Sequence, residues 1–296
     1  MSMHSRQVKN ILITAKNSYI GNSFAKWVKD HPEYTIEFIT CRNDEWKEST
    51  FTNYDVILHV AGIAHVKAKK YQEDLYYKIN TDLTIAIANK AKSEGVKQFI
   101  FLSSMIVYGE SNADNQSTIV NSLTPPHPYG YYGDSKRQAE IGITYLQDEN
   151  FNISIIRPPM IYGLGSKGNF PKLAKIAKFI PVFPKIDGIR SMLYIDNLCE
   201  FIRMIIKDEA PGVFHPQNTE YVNVTDLFCY IRNVNGKKTA VTKLFNPIIR
   251  IIGKKVDSIN KLFGTFVYEH ELSKYDSEYC ITNFKDSIRV IEGREK

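Results

Sequence analysis

Short apolar runs alternate with amphipathic stretches along the first half of this chain. Val8 to Thr14 predicts a buried strand, Ile20 to Lys29 a helix, Tyr34 to Thr40 a second strand and Tyr54 to Val60 a third. Asn80 to Ser93 reads as a helix closed by Gly95, followed by strands over Val96 to Leu102 and Ile153 to Arg157. Strands alternating with helices predict an α/β fold, a doubly wound parallel sheet with helices on both faces. Ligands of such sheets sit beyond the carboxyl ends of the strands, and Ser104 falls at one of those ends. From about residue 163 the pattern loses its regularity and becomes rich in Pro, Gly, Lys and aromatics. The expected organisation is a sheet domain over 1–162 and a smaller lobe over 163–296, partly interleaved with the sheet.

Composition narrows the class without naming an activity. Hydrophobic content of 43% and charge of 24% suit a soluble globular chain long enough for a full core. A net charge of +6 suits an anionic small molecule such as a nucleotide, although most of the lysines are expected on a solvated surface. The lysines are dispersed, so nucleic acid is not an expected partner. Cys41, Cys199, Cys229 and Cys280 lack the spacing of a disulfide framework or a zinc site, which fits a reducing cytoplasm and no metal. No signal peptide and no apolar run of membrane-spanning length is evident.

The strongest chemical signal is Tyr132 with Lys136. Four residues apart, they share one face of a helix. A lysine cation can stabilise tyrosinate. Bringing a phenol from its ordinary pKa of about 10 to about 7 takes roughly 4 kcal/mol of differential stabilisation. Ser104 lies 28 residues upstream, in Ser103-Ser104-Met105-Ile106-Val107-Tyr108-Gly109, and Arg157-Pro158-Pro159-Met160-Ile161-Tyr162-Gly163 lies downstream. In this order the three pieces resemble the extended short-chain dehydrogenase/reductase family, over roughly residues 8 to 235. Within it they look like the nucleotide-sugar epimerase, dehydratase and reductase branch.

That resemblance implies a Rossmann domain and a substrate-binding C-terminal lobe. It casts Tyr132 as the proton donor or acceptor at a sugar oxygen, Ser104 as its hydrogen-bonding partner and Lys136 as the group that lowers the tyrosine pKa and meets the nicotinamide ribose. The family's G-x-x-G-x-x-G loop becomes Ala15-Lys16-Asn17-Ser18-Tyr19-Ile20-Gly21 here, with only the third glycine kept. The expected cofactor contacts are Ala15, Asn17, Ser18, Tyr19, Ile20, Gly21, Arg42, Ala61, Lys136 and Pro158. Arg42 stands where NAD users place an acidic residue, so NADPH is slightly favoured over NADH; the alternative for Arg42 is a surface residue. His59, in the third-strand segment His59-Val60-Ala61-Gly62, is expected to be packed rather than basic. Asn80 matches a structural family asparagine, and Asp196 is expected to be structural.

For the substrate, Met105, Asn169, Phe170 and Arg190 are expected to line the pocket, with the Arg190 guanidinium fork suiting a diphosphate. An ion pair within the lobe is the alternative for Arg190. Met105 and Ile106 stand where 4,6-dehydratases carry an Asp-Glu pair, and neither can move a proton, which disfavours dehydration. The expected activity is reduction of a UDP-4-keto-6-deoxy-N-acetylhexosamine to UDP-N-acetyl-D-fucosamine or UDP-N-acetyl-D-quinovosamine, as in similar enzymes of bacterial capsule synthesis. A UDP-N-acetylhexosamine or UDP-hexose 4-epimerase with retained NAD is the alternative. A nucleotide-sensing protein without turnover is the alternative of another class. Leu244, Phe245, Ile248, Ile249, Ile251 and Ile252, among lysines and arginines of the 239–267 region, suggest either an amphipathic contact with the inner membrane face or helices packed on the lobe or in a homodimer.

Overall fold

The computed structural model describes residues 8–64, 73–109, 117–244, 246–247 and 264–293. The chain divides into two compact units. The first comprises Met1–Val107, Pro128–Pro158 and Leu198–Phe214. Its centre is a parallel sheet of β1 (Lys9–Thr14), β2 (Tyr34–Ile39), β3 (Val56–His59), β4 (Gln98–Leu102), β5 (Asn152–Ile156) and β6 (Gly212–Phe214), in the order β6-β5-β4-β3-β1-β2. The chain leaves β1 for β2 on one side and then crosses to β3 on the other. The carboxyl ends of β1 and β3 therefore form the point of reversal where such sheets bind ligands.

The strands are apolar because both faces are covered. Every residue of β3 and β4 is buried, as is Ile11 to Thr14 of β1. In register, His59 lies beside Phe101 and Leu102 beside Ile156, so the ends of β3, β4 and β5 finish side by side. The helices α1 (Tyr19–Trp27), α2 (Leu83–Ser93) and α3 (Gly130–Thr144) accompany the sheet. Ile87, Ala88 and Ala91 of α2 and Ala139 and Ile143 of α3 join Phe99, Phe101 and Ile153 in one cluster.

The predicted helix over 80–93 begins earlier than expected. A short helix over Glu73–Tyr76 runs into a wide π turn over Tyr77–Asp82, and α2 follows directly. The buried positions there are Tyr76, Asn80, Thr81 and Thr84. Three of these four are polar, so a hydrophobic period cannot reveal the segment. π turns often serve function, and this one carries Asn80.

The second unit comprises Tyr108–His127, Pro159–Asn197 and His215–Lys296. Among the described residues its strands form three small sheets, the largest of four strands. Around them lie α4 (Asn169–Ala177), α5 (Ile195–Lys207, which continues into the first unit), α6 (Val224–Val234) and α7 (Phe284–Ile291). Tyr162 is a hub of its core. Its ring meets Phe170 at 5.2 Å and Tyr194 at 5.6 Å, and its hydroxyl meets Ser287 at 2.7 Å and accepts from Asn218 Nδ2 at 2.9 Å. Of the apolar residues singled out in the 239–267 region, Leu244 is exposed, whereas Phe245, Ile248, Ile249, Ile251 and Ile252 lie outside the described residues.

Candidate active site

The first unit brings Ser104, Tyr132 and Lys136 together. Ser104 sits in the turn that leaves β4. There its hydroxyl accepts from the Ile106 amide at 3.3 Å and hydrogen-bonds the Tyr132 phenol. Tyr132 and Lys136 lie one helical turn apart on α3. Gly133 lets α3 approach that turn, because a Cβ there would stand 3.1 Å from the Ile106 carbonyl oxygen. Burial pushes the Tyr132 phenol above its ordinary pKa of 10.0, and the Ser104 hydrogen bond pulls the other way. The expected depression by Lys136 is not seen. The ammonium instead donates to the Leu102 carbonyl at 2.8 Å and lies 4.5 Å from the centre of the Phe101 ring. Burial lowers the pKa of Lys136 to about 8, against the opposing charge of Glu140.

Glu140, one turn beyond Lys136, organises the strand ends behind these groups. Its carboxylate is 1% exposed. It accepts from Arg157 Nε at 2.9 Å and Nη2 at 2.7 Å, from Arg137 Nη1 at 3.1 Å and from the Ser103 hydroxyl at 2.5 Å. One side chain thus ties α3 to the residue before Ser104 and to the residue before Pro158. The Pro158 carbonyl in turn accepts from the Met105 amide at 2.9 Å. Sequence reasoning did not single out Glu140; its spacing of four from Lys136 on the same helix was the available signal.

A second buried network holds the reversal point between β1 and β3. The Thr14 hydroxyl accepts from the Val60 and Ala61 amides, each at 3.1 Å, so its own proton faces His59 Nδ1 at 3.0 Å. The Thr84 hydroxyl donates to the Asn80 carbonyl at 2.7 Å and must accept from His59 Nε2 at 3.0 Å. His59 is therefore neutral with its proton on Nε2. Burial, with the Lys136 charge adding, pushes its pKa down to about 3. It is a packed connector, as expected, and not a base. Asn80 holds Ile63 through both its amide (2.8 Å) and its carbonyl (3.1 Å), and donates to Ser135 at 3.0 Å. Gly62 lies against this group; a Cβ there would be 3.0 Å from Asn80 Oδ1 and 3.2 Å from Lys136 Nζ.

The loop from β1 to α1 closes its turn without the two missing glycines. Ala15 holds a left-handed φ of 67°, and its carbonyl accepts from the Ser18 amide at 2.8 Å. Ser18 is the N-cap of α1 and accepts from the Gly21 amide at 3.3 Å. Gly21 has no room for a side chain, since a Cβ would stand 2.8 Å from Ile13 Cγ2. Asn17 is exposed, and Tyr19 and Ile20 form the first turn of α1. The loop has no acidic residue and ends on a helix N-terminus, so it fits a pyrophosphate. Ala61 and Pro158 are buried, and Arg42 is exposed just past β2. Burial pushes the neighbouring Cys41 thiol up to about 11, which leaves it inert.

Of the residues expected to line the substrate pocket, Met105 is buried in the first unit beside Ser104. The other three belong to the second unit. Asn169 is the exposed first residue of α4, and Phe170 is buried against Tyr162. Arg190 lies in a strand, paired with Val222 on one side and Phe266 on the other. Among the described residues no cluster could hold a metal ion, and no helix is long and apolar enough to cross a membrane.

A parallel sheet with its reversal point at β1 and β3, and a serine–tyrosine–lysine set beside it, defines a dinucleotide-dependent enzyme class. The chain matches the model of the NAD dependent epimerase/dehydratase family over residues 7–215 and belongs to that family. It is 31% identical to a UDP-glucose 4-epimerase of Vibrio cholerae, over 87% of this chain and 86% of that protein. It is 28% identical to an N-acetyl-α-D-glucosaminyl-diphospho-ditrans,octacis-undecaprenol 4-epimerase of Escherichia coli O157:H7, over 88% and 78%. Among solved structures, a dTDP-4-dehydrorhamnose reductase from Clostridium acetobutylicum shares the fold with a TM-score of 0.73 at 18% identity, over 96% of this chain and 99% of that one. A Thermus thermophilus UDP-glucose 4-epimerase in complex with NAD does so at 0.72 and 15%, over 96% and 98%. The protein is an enzyme of this family, and a nicotinamide dinucleotide is its cofactor.

Proposed function

We propose that this enzyme interconverts the C4 epimers of a hexose or N-acetylhexosamine carried on a diphosphate, by oxidation and re-reduction at C4. The observation that carries the reading is the Ser104–Tyr132 hydrogen bond beside a buried Lys136. Two relatives at 31% and 28% identity, both 4-epimerases, support it. They differ in the group beyond the diphosphate, a nucleoside in one and a polyprenol in the other. UDP is the carrier expected here.

The 15–21 loop, Ala61, Pro158 and Lys136 would hold the dinucleotide. Bound there, its nicotinamide would supply the redox chemistry, accepting hydride from C4 and giving it back to the opposite face of the 4-keto carbon. Tyr132 takes the proton of the sugar 4-hydroxyl as C4 is oxidised, and gives it back on the return. Ser104 holds the same oxygen and keeps the phenol oriented. Lys136 has three donors and spends one on Leu102, which leaves two for hydroxyls of the cofactor ribose. Its charge then favours the tyrosinate that burial alone disfavours. Met105 and Ile106 add no acid or base, so the 4-keto sugar loses no water. In the second unit, Arg190 is the group whose guanidinium fork suits a diphosphate.

A second reading, a 4-keto-reductase giving UDP-N-acetyl-D-fucosamine or UDP-N-acetyl-D-quinovosamine with NADPH, draws support from Arg42. Its exposed guanidinium just past β2 suits a ribose 2′-phosphate. One experiment separates the two. Purified enzyme is incubated with UDP-glucose and with UDP-N-acetylglucosamine, and the products are resolved by chromatography. In parallel it receives a UDP-4-keto-6-deoxy-N-acetylhexosamine with NADPH or NADH. Appearance of the C4 epimer without added cofactor supports the first reading. Stoichiometric loss of reduced nicotinamide absorbance with no epimer supports the second. Neither change would overturn both.

A further inference from the structure

The second unit carries a surface that the chemistry above does not use. Residues 171–186 and 236–244 contain seven lysines and no aspartate or glutamate. All seven are exposed. Backbone pairing makes the two stretches one surface. Strands over 182–184 and 240–242 run in parallel, the Ala240 amide donates to the Pro181 carbonyl at 2.9 Å, and the Lys185 amide donates to the Thr242 carbonyl at 2.9 Å. Lys237 Nζ caps the end of α4 by donating to the Lys178 carbonyl at 2.6 Å.

Large apolar side chains stand among these lysines. Phe179 is 75% exposed and Leu244 77%, with Ile176, Ile180 and Val182 also open to solvent. Their neighbours show how unusual this is, because the alternate residue Phe183 is tucked against Phe228 at 4.0 Å. Of the seven lysines only Lys178 meets a carboxylate among the described residues, Glu292 at 2.9 Å. Asp187 and Asp226 line the cleft beside Val241, on the α6 side.

We propose that this lysine-rich face, with Phe179 and Leu244 its most exposed apolar side chains, docks the enzyme reversibly on an anionic lipid bilayer. The charge pattern decides the occupant. A second copy would present the same excess of lysines and be repelled. A purely polyanionic partner would give exposed phenylalanine and leucine nothing to bury into. A bilayer with anionic headgroups meets both halves of the pattern, taking the apolar side chains into its interfacial region while its phosphates face the lysines. The proposal stands apart from the choice between epimerase and reductase.

The test uses the full chain in sedimentation with lipid vesicles, of phosphatidylcholine alone or mixed with phosphatidylglycerol. Two double variants, Phe179→Ser with Leu244→Ser and Lys175→Ala with Lys243→Ala, are compared with the parent. The expected result is binding to the mixed vesicles alone, released at about 0.5 M NaCl as screening shortens the reach of the charges. Each double variant should bind about tenfold more weakly or less. The proposal is overturned if the parent stays in the supernatant with phosphatidylglycerol. It is also overturned if the serine variant binds as tightly as the parent, or if gel filtration shows that the serine variant turns a dimer into a monomer. Turnover on a soluble sugar nucleotide should be unchanged in both variants. If the parent shows no turnover, the functional reading fails while the vesicle result still stands or falls on its own.

Discussion

On the proposed function, the loop after β1 and the helix α3 serve the same reaction from the same sheet, yet they treat sequence differently. The loop has lost two of three family glycines and keeps its turn, because Ala15 accepts the left-handed conformation and Ser18 caps α1. The helix keeps every chemical group of its motif. The loop acts through backbone amides, which any residue supplies if its dihedral and its volume are tolerated. The helix acts through a phenol and an ammonium, which no other residue supplies. Erosion in a backbone-built site is therefore weak evidence against function, whereas a change in a side-chain-built site is strong evidence.

The comparison breaks most sharply at Tyr132. Tyr132→Phe removes only the hydroxyl and should lower turnover by about 10²–10⁴-fold. Dinucleotide affinity, read by fluorescence titration, should be unchanged. Near-normal turnover would take Tyr132 out of the chemistry. Next comes Glu140→Gln, which leaves Arg157 buried without its countercharge. A loss of about 3 kcal/mol in chemical denaturation is expected. A change under 1 kcal/mol, on the order of a surface pair, would show that the network is not what holds the strand ends.

Lys136 links stability to pH. Its pKa is about 8 in the folded protein against an ordinary 10.5. Below pH 8 both folded and unfolded chains carry the charge, and the folded one bears the full cost of burying it. As pH rises from about 8 to 10.5 the folded protein has released the proton while the unfolded chain still holds it, so this group's contribution makes stability rise. Denaturation midpoints over that window should climb in the parent relative to Lys136→Met, and parallel curves would refute the assignment. A smaller effect is expected from Gly62→Ala. Its Cβ would crowd Lys136 Nζ and Asn80 Oδ1, so turnover should fall about tenfold with little change in melting temperature. Unchanged turnover would mean that Lys136 has room to shift.

How much of this was legible in the sequence follows from the same distinction. The sheet was, because strands buried on both faces read as unbroken apolar runs. Ser104, Tyr132 and Lys136 were, because their spacing is fixed by one strand end and one helical turn. The start of the α2 segment was not, because its buried face is Asn80, Thr81 and Thr84. The reach of Glu140 was hidden as well, since its partners Ser103 and Arg157 come from two other strand ends. The lysine-rich face was legible only in part: Leu244 and the basic residues around it stood out, but the 171–186 stretch that pairs with them lies some 50 residues upstream. The raised pKa of Tyr132 without cofactor was not legible either, because spacing alone shows neither the burial that raises it nor the turn of the ammonium to the Leu102 carbonyl.

The finest test returns to Ala15. A left-handed alanine costs about 1 kcal/mol relative to glycine, but glycine gives the unfolded chain about 0.4–1 kcal/mol of extra entropy. Ala15→Gly should therefore leave stability within about 0.5 kcal/mol of the parent. Ala15→Val has no such offset. A β-branched side chain is strained at φ 67°, and a loss of about 2 kcal/mol is expected. If the loop is read through its backbone, Ala15→Gly should also bind the dinucleotide at least as tightly as the parent, because nothing but a Cβ beside the phosphates has been removed. Weaker binding by Ala15→Gly would mean that the alanine methyl makes a contact of its own, and the loop would then belong with α3 among the parts that act through side chains.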